Sequence, residues 1–476
     1  MAQSTQMDAW TVGASREDSS TNIVTIQVDS YQPSQHGQVG ETGESPSTMA
    51  KHYTRVWNLD SDLEAGKKLL AKEIGMNTIV SIKRAPKVRG ELRGADEDSY
   101  TPHRVPIGPY HHNCSSSWIA KEKLRYVGFM QSVSERYKAD GLNGLVEELE
   151  PRAREWYGDG VDHMTPEELA RMLLHDGCYL LGWLVNYPDA PQTSCNDHNT
   201  VFRDILYLIE NQLPFFVLDK IHARATGGSS CLLHYMATYI QSLLNAQLYI
   251  SQGKQRLMEQ PWHLLHLVHE YFRPANLPKS TDPQQTGRTG RWRRATAYRL
   301  HAKVRFMPRD FAAEVNSVLD VRLEGGTLWV PRLQVCRDTW TLLRNLMALE
   351  EQMPKRPVTA YCIFMSQVAC TVEDVRLLVD AKIVQHFEGS DEHAAQGFAD
   401  LCKGVVMDVD NIDRNYLKPI WHDLEKRHKS RAHNFWGGHS QRVAIALALL
   451  VVVVLLACVV TQTFYVIIGY RQQTKH

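Results

Sequence analysis

From Val443 to Val460 every residue is apolar, and no charge appears in the chain until Arg471. A helix rises about 1.5 Å per residue, so the uncharged stretch through Tyr470 is long enough to cross roughly 30 Å of hydrocarbon. A water-soluble core helix seldom avoids polar residues for so long, and the length criterion predicts a transmembrane helix over 443–470. Phe464, Tyr465 and Tyr470 are placed like interfacial aromatics, with Arg471 and Lys475 in the short tail 471–476 beyond them. Lys426, Arg427, Lys429, Arg431 and Arg442 precede the span, and a cationic flank of this kind marks the cytoplasmic side. A span this near the last residue would still lie inside the ribosome at termination. The expectation is a single-pass, tail-anchored protein, inserted after translation in the plasma membrane or endoplasmic reticulum, with its N-terminal domain in the cytoplasm.

Lys and Arg total 53 against 53 Asp and Glu, so no global field draws the chain to nucleic acid or an anionic surface, and such binding needs a local patch. With 43% hydrophobic and 22% charged residues, the bulk is globular. The nine cysteines are scattered, without a C-x-x-C pair, which is thiol usage for a reducing compartment. The first fifty residues hold no apolar run that could serve as a secretory signal, and residues 1–76 are expected to be disordered.

The region 77–433 has mainly helical apolar spacing. Helices are predicted over Leu142–Tyr157 and Pro166–Tyr187, the second entered through Thr165-Pro166-Glu167-Glu168: a hydroxyl cap, a first-turn proline and two acids at the positive dipole end. Val201–Ala225 is apolar on nearly every side and predicts one central helix, bent where Pro214 removes a hydrogen bond, with Asn211 and Gln212 as replacement donors. Val318–Leu323 and Thr327–Val330, around Gly325-Gly326, predict a β-hairpin closed by Pro331. Further helices are expected over Thr339–Glu351, Thr359–Ala369, Val372–Val379 and Asp391–Val405. The fold class is mainly α: a large helical domain with a minor β-hairpin or small sheet, a basic and polar linker over 434–442, and one C-terminal transmembrane helix.

Chemistry-bearing residues are few. His263, His266 and His269 with Glu270 are expected on a solvated face opposite Leu264, Leu265, Leu267, Val268 and Phe272, too spread around the helix to converge on one ion. His103, His111, His112 and Cys114 surround Pro102, Pro106, Gly108 and Pro109, and a rigid turn accounts for them better than zinc. The run 288–309 carries Arg291, Arg293, Arg294, Arg299, Lys303 and Arg305, interleaved with Trp292, Tyr298 and Phe306. Cations with aromatics suit nucleic acid, an anionic lipid surface suits the cations, and a charged helix surface explains both. Of these, nucleic acid is the least favoured partner. The G-x-S-x-G, G-x-x-x-x-G-K-[ST] and H-E-x-x-H signatures do not occur. Cys178 or Cys370 would act as a nucleophile only with a histidine near in space. No catalytic residue, metal ligand or cofactor is assigned, and the chain is not expected to be an enzyme.

Several segments taken together resemble the plant family called domain of unknown function 247. They are Tyr100-Thr101-Pro102 with Ile107-Gly108-Pro109-Tyr110-His111; His175-Asp176-Gly177-Cys178; Asp204 with Glu210-Asn211-Gln212-Leu213-Pro214; Leu319-Asp320-Val321; Leu328 to Pro331; Arg344-Asn345-Leu346 with Glu350; Asp374-Val375; Ser390-Asp391-Glu392; and Thr461 to Tyr465. The resemblance implies a plant membrane-associated protein with a helical domain, a C-terminal membrane segment and no established catalytic activity; some grass members are associated with self-incompatibility. Gly108, Pro109, Tyr110, His111, Asp176, Gly177, Glu210, Asn211, Gln212 and Pro214 are its specific motif residues. The leading expectation is a membrane-anchored protein-recognition or signalling module with an unidentified protein partner. The alternatives are an enzyme with an unrecognised cysteine/histidine site and a binder of nucleic acid or anionic lipid through 288–309.

Overall fold

The computed structural model describes residues 87–473, apart from 140, 143, 186–196, 229–230, 253–259, 276–289, 312–314 and 412–413; the expected disordered region 1–76 lies outside the described residues. The Pro166–Leu184 helix is the hub. Thr165 Oγ1 accepts the Glu168 N–H at 3.2 Å while Glu168 Oε2 accepts the Thr165 N–H at 2.9 Å, the reciprocal cap that its sequence predicts. It packs against Ser117–Arg136, Leu145–Tyr157 and Phe215–Thr226. Gly177 permits the last of these contacts, because a Cβ there would lie 2.5 Å from Ile221 Cδ1.

The single bent helix expected over Val201–Ala225 is not formed. His198–Phe202 is helical, Arg203–Tyr207 is one widened π turn, and a new helix begins only at Phe215, with Pro214 as its N-cap residue. Burial on all sides makes a central segment without making it a helix. Here the polar residues of 204–212 bind loop backbone, which a continuous helix would not let them reach.

The hairpin forms as β2 (Arg322–Glu324) antiparallel to β3 (Thr327–Pro331), with Gly325 and Gly326 at φ +56 and +84, the left-handed pair that a two-residue turn requires. Its first strand is shorter than the expected Val318–Leu323, since 318–321 lies outside the strand, and Pro331 is the last residue of β3 rather than a stop beyond it. Two features were not legible beforehand. Arg305–Arg309 adds as β1, parallel to β3, so the sheet order is β1-β3-β2. A separate parallel pair joins β4 (Leu333–Val335) to β5 (Val384–His386). Arg337–Glu350, Pro357–Val368, Val372–Asp380 and Asp391–Asp400 supply the later helices, each within a few residues of expectation except the last, which ends before Val405.

The C-terminal helix runs from Lys418 to Gln473, so the basic and polar stretch 434–442 between domain and apolar segment is helical. Its first turns belong to the domain: Leu424 and Glu425 are buried, and just ahead of the helix Leu417 is buried and Tyr416 donates its hydroxyl proton to the Leu319 carbonyl at 2.5 Å. Within it, Ala446–Ile468 has a mean hydropathy of 2.7 and none of it is buried, which makes it long and apolar enough to cross a membrane.

Candidate functional site

The motif residues converge on one buried polar lattice. Gly108 stands at φ +73 and donates its N–H to Asp176 Oδ2 at 2.8 Å; a Cβ there would lie 3.0 Å from the Gln212 carbonyl oxygen. The other Asp176 oxygen pairs with Lys123 Nζ at 2.5 Å, and Lys123 also donates to the Pro106 carbonyl at 2.6 Å. Lys123 was missed in the sequence. Its signal was available: a lysine at helical spacing within the buried stripe Ile119, Tyr126, Met130 and Val133.

Asn211 accepts the Ile107 N–H through Oδ1 at 2.6 Å and donates through Nδ2 to the carbonyls of Val105 and Asp204, each at 2.9 Å. Gln212 donates to the Ile205 and Leu208 carbonyls at 3.1 and 2.9 Å and accepts the Leu265 N–H at 3.0 Å. Asp204 accepts the N–H groups of His103, Arg104 and Val105 and pairs with Arg203 at 2.8 Å. Asp204 and Asn211 therefore bind the backbone of 103–107 as a strap, while Gln212 ties the 204–212 turn to itself and to Leu265. Buried polar groups are costly unless paired, and here nearly every one is.

Glu210 ties a second segment by accepting the Val88 N–H at 2.7 Å and pairing with Arg93. Pro109 opens a 3-10 turn, Pro109–Cys114, which turns His111 inward until its Nε2 lies 3.6 Å from Glu210 Oε2. The pair is not an ion pair near neutrality. Burial pushes the His111 imidazole down to about 4, with the Arg93 charge acting in the same direction. Burial also raises the Glu210 carboxyl, against the opposing pull of the Val88 N–H and Arg93. Tyr110 stacks edge-on against Tyr157, whose hydroxyl donates to the Gln212 carbonyl at 2.9 Å. His103, by contrast, turns outward to Asp98 at 2.8 Å, and His112 and Cys114 are exposed.

The same device recurs farther along. Glu350 accepts from the Val358 and Thr359 N–H groups at 2.9 and 2.8 Å, Asn345 accepts the Ile209 N–H at 2.9 Å, and Asp320 accepts the N–H of Ala275 at 2.6 Å. Residues 86–458 match the family model described as a plant protein of unknown function, DUF247. The chain belongs to this family. Among its DUF247-type relatives in Arabidopsis thaliana, the UPF0481 protein At3g47200 is 25% identical over 371 residues, covering 71% of this chain and 76% of the relative. The putative UPF0481 protein At3g02645 is 34% identical over 147 residues, which is 30% of this chain and 26% of that protein. No solved structure matches. In this DUF247 chain, then, the motif residues build the interior.

The remaining candidates fall elsewhere. The histidine row is not solvated: His263, His266, His269 and Glu270 are all buried, because other elements cover this short helix on its polar side as well. His263 Nδ1 accepts the His266 N–H at 3.1 Å as the helix cap, His266 stacks on Trp262, and His269 meets Glu350 at 2.8 Å. Among the described residues no group of three or more His, Cys, Asp or Glu is arranged to hold a metal ion. Cys178 is fully buried and burial pushes its thiol up, opposite to the activation that a nucleophile needs; Cys370 is shifted the same way.

The basic run is only partly helical, as Ala295–His301 followed by β1. Arg291, Arg293, Arg294, Arg299, Lys303 and Arg305 are all exposed, but Trp292, Tyr298 and Phe306 are buried and cannot stack on bases. Arg293 is committed to Glu425, reached at 2.7 Å.

Proposed function

We propose that this chain is a single-pass membrane protein whose helical domain faces the cytoplasm and works as a membrane-held module for protein recognition or signalling. One observation carries the reading: the fully exposed apolar helix Ala446–Ile468 continues from a stem that is itself part of the domain core. In water that apolar surface would be a large unfavourable exposure; in lipid it is the favoured solvent. The cations Lys426, Arg427, Lys429, Arg431 and Arg442 precede the span and support a cytoplasmic domain. The described cysteines are free thiols, in keeping with a reducing compartment. A span concentrates the domain on a surface, which raises encounter with a similarly held partner without any new contact. The motif residues are occupied within the interior, and recognition is accordingly assigned to the outer surface.

The test has two parts. Alkaline carbonate treatment of membranes from expressing cells should leave the full chain in the pellet, and protease added from the cytosolic side should digest the domain. Affinity purification from the solubilised membranes should return the same partner repeatedly. Release by carbonate would overturn the membrane reading, and repeated recovery without a reproducible partner would overturn the recognition reading.

A further inference from the structure

We propose that the cationic end of the domain beside the stem helix binds the anionic leaflet of the membrane that the span enters, a deepening that rests on the membrane reading above. The basic run is fastened to the stem. Arg293 and Tyr298 reach Glu425, the ring of His301 lies 6.0 Å from that of His428, and the Arg427 guanidinium lies over Gly326 in the β2–β3 turn. Going from Glu425 to His428 on the stem, toward the apolar run, matches going from Arg293, just ahead of the Ala295–His301 helix, to His301 at its end. The chain then turns at Lys303, and the Arg305 N–H bonds the Gly326 carbonyl beside Arg427, so these cations gather near the stem.

Arg299, Lys303 and Arg305, with Lys426 and Lys429 on the stem, are exposed, and none lies within ion-pair distance of a carboxylate among the described residues. Arg291 and Arg294 flank this group, Arg294 acting on nearby Glu373. Leu300 stands among the cations at 62% exposure. Cations around an exposed leucine are what an interfacial lipid contact uses, whereas nucleic acid would call on aromatics that are here buried.

The reach is short. A straight helix covers His428 to Val443 in about 22 Å, of which the polar layer of the bilayer takes up several. Tilt of the span, or bending at the Gly437-Gly438 pair, closes the remainder. Being tethered, the patch meets headgroups at high effective concentration, so weak attraction per cation suffices.

The full chain reconstituted in nanodiscs tests this directly, in phosphatidylcholine with and without phosphatidylserine. Lysine acylation, read residue by residue by mass spectrometry, should slow about tenfold at Lys303, Lys426 and Lys429 in the anionic discs, the factor corresponding to roughly 1.4 kcal/mol. Added salt should restore the rates, and Lys121, on the Ser117–Arg136 helix, should react equally in both. Combining Arg299→Glu, Lys303→Glu and Arg305→Glu should abolish the protection at Lys426 and Lys429; the lipid comparison on the unaltered chain stands even if that variant misfolds. Equal rates in both discs, with the protein still inserted, would overturn the proposal and leave the membrane reading intact. Failure to insert would overturn that reading instead. Protection by single-stranded RNA matching that by lipid would reassign the patch to nucleic acid and overturn the proposal.

Discussion

Glu425, on the stem of the C-terminal helix, accepts from both Nε and Nη2 of Arg293 at 2.7 and 3.0 Å, a two-point clamp between the apolar helix and the domain. Glu425 is buried, so removing Arg293 leaves a carboxylate without its cation. Arg293→Ala should cost about 1.5–3 kcal/mol, toward the low end because the guanidinium is partly solvated. Arg293→Lys should recover only part of this, since a lysine cannot make the fork. Arg294→Ala, one residue on and exposed, should fall within about 0.5 kcal/mol of the parent. Thermal unfolding of the full chain in detergent measures all three.

Gly108 is the tightest point of the lattice. Gly108→Ala would hold an L-residue at φ +73 and place its Cβ 3.0 Å from the Gln212 carbonyl, at a cost of about 1–3 kcal/mol. Gly128, in the Ser117–Arg136 helix with nothing near its would-be Cβ, makes the contrast. Gly128→Ala should stabilise by about 0.5–1 kcal/mol through helix propensity. Denaturant midpoints of the two variants should move in opposite directions.

Elements governed by local rules were legible in the sequence. Thr165 to Glu168 announced their cap, Gly325-Gly326 their turn, and 443–470 its apolar helix, because each depends on residues only a few positions apart. What failed was what distant residues decide. The segment around Glu210 to Pro214 read as helix, since its composition records burial but not the distant backbone at Val88, Val105, Ile107 and Leu265 that its side chains hold. The histidines from His263 to His269 read as solvated because amphipathicity cannot reveal a second covering layer. β1 hid within a charged run because its partner β3 lies beyond it in the chain. The motif positions themselves were found, but their role became visible only when Gly108 met Asp176.

Burial holds His111, His263 and His266 neutral most strongly, with values pushed down to about 4, 3 and 2, and lowers His175, His222 and His428 in the same direction. Unfolded imidazoles titrate near 6.5, so below about that pH the unfolded chain binds protons that the folded chain refuses. The stability these groups contribute is whole above about pH 6.5 and falls as the pH drops toward the folded values. Well below pH 6.5 each of the first three costs about 1.4 kcal/mol per pH unit; between about pH 6.5 and 5.5, where the unfolded imidazole is still filling, each costs about 1 kcal/mol and the three together about 3. Burial raises Glu210 and Asp320, which act in the opposite sense within the carboxylate range, so the window to measure is about pH 6.5 to 5.5. Chemical denaturation across it should show the steep fall. His263→Ser keeps a cap acceptor and removes one proton site, and should lessen the fall across this window by about 1 kcal/mol. An unchanged slope would show that His263 does not titrate in this way.

The sharpest test of the lattice changes a single atom type. Asn211 Oδ1 accepts one N–H while Nδ2 donates to two carbonyls, all within a site that is 1% exposed. Asn211→Asp keeps the shape but turns an acceptor toward the carbonyls of Val105 and Asp204. A buried, uncompensated carboxylate costs about 3–5 kcal/mol, and the variant can reduce this by holding a proton and donating to one of the carbonyls. Its folded pKa would then be raised, so stability is regained below the unfolded value near 3.9 and lost as the pH climbs through the folded one. That slope is opposite in sign to the histidine slope of the parent. The difference in stability between parent and variant should therefore narrow from about pH 7.5 to pH 5.5. A constant difference across that range would mean that the Nδ2 contacts do not set the orientation of Asn211, and the strap would have to be held chiefly by Asp204.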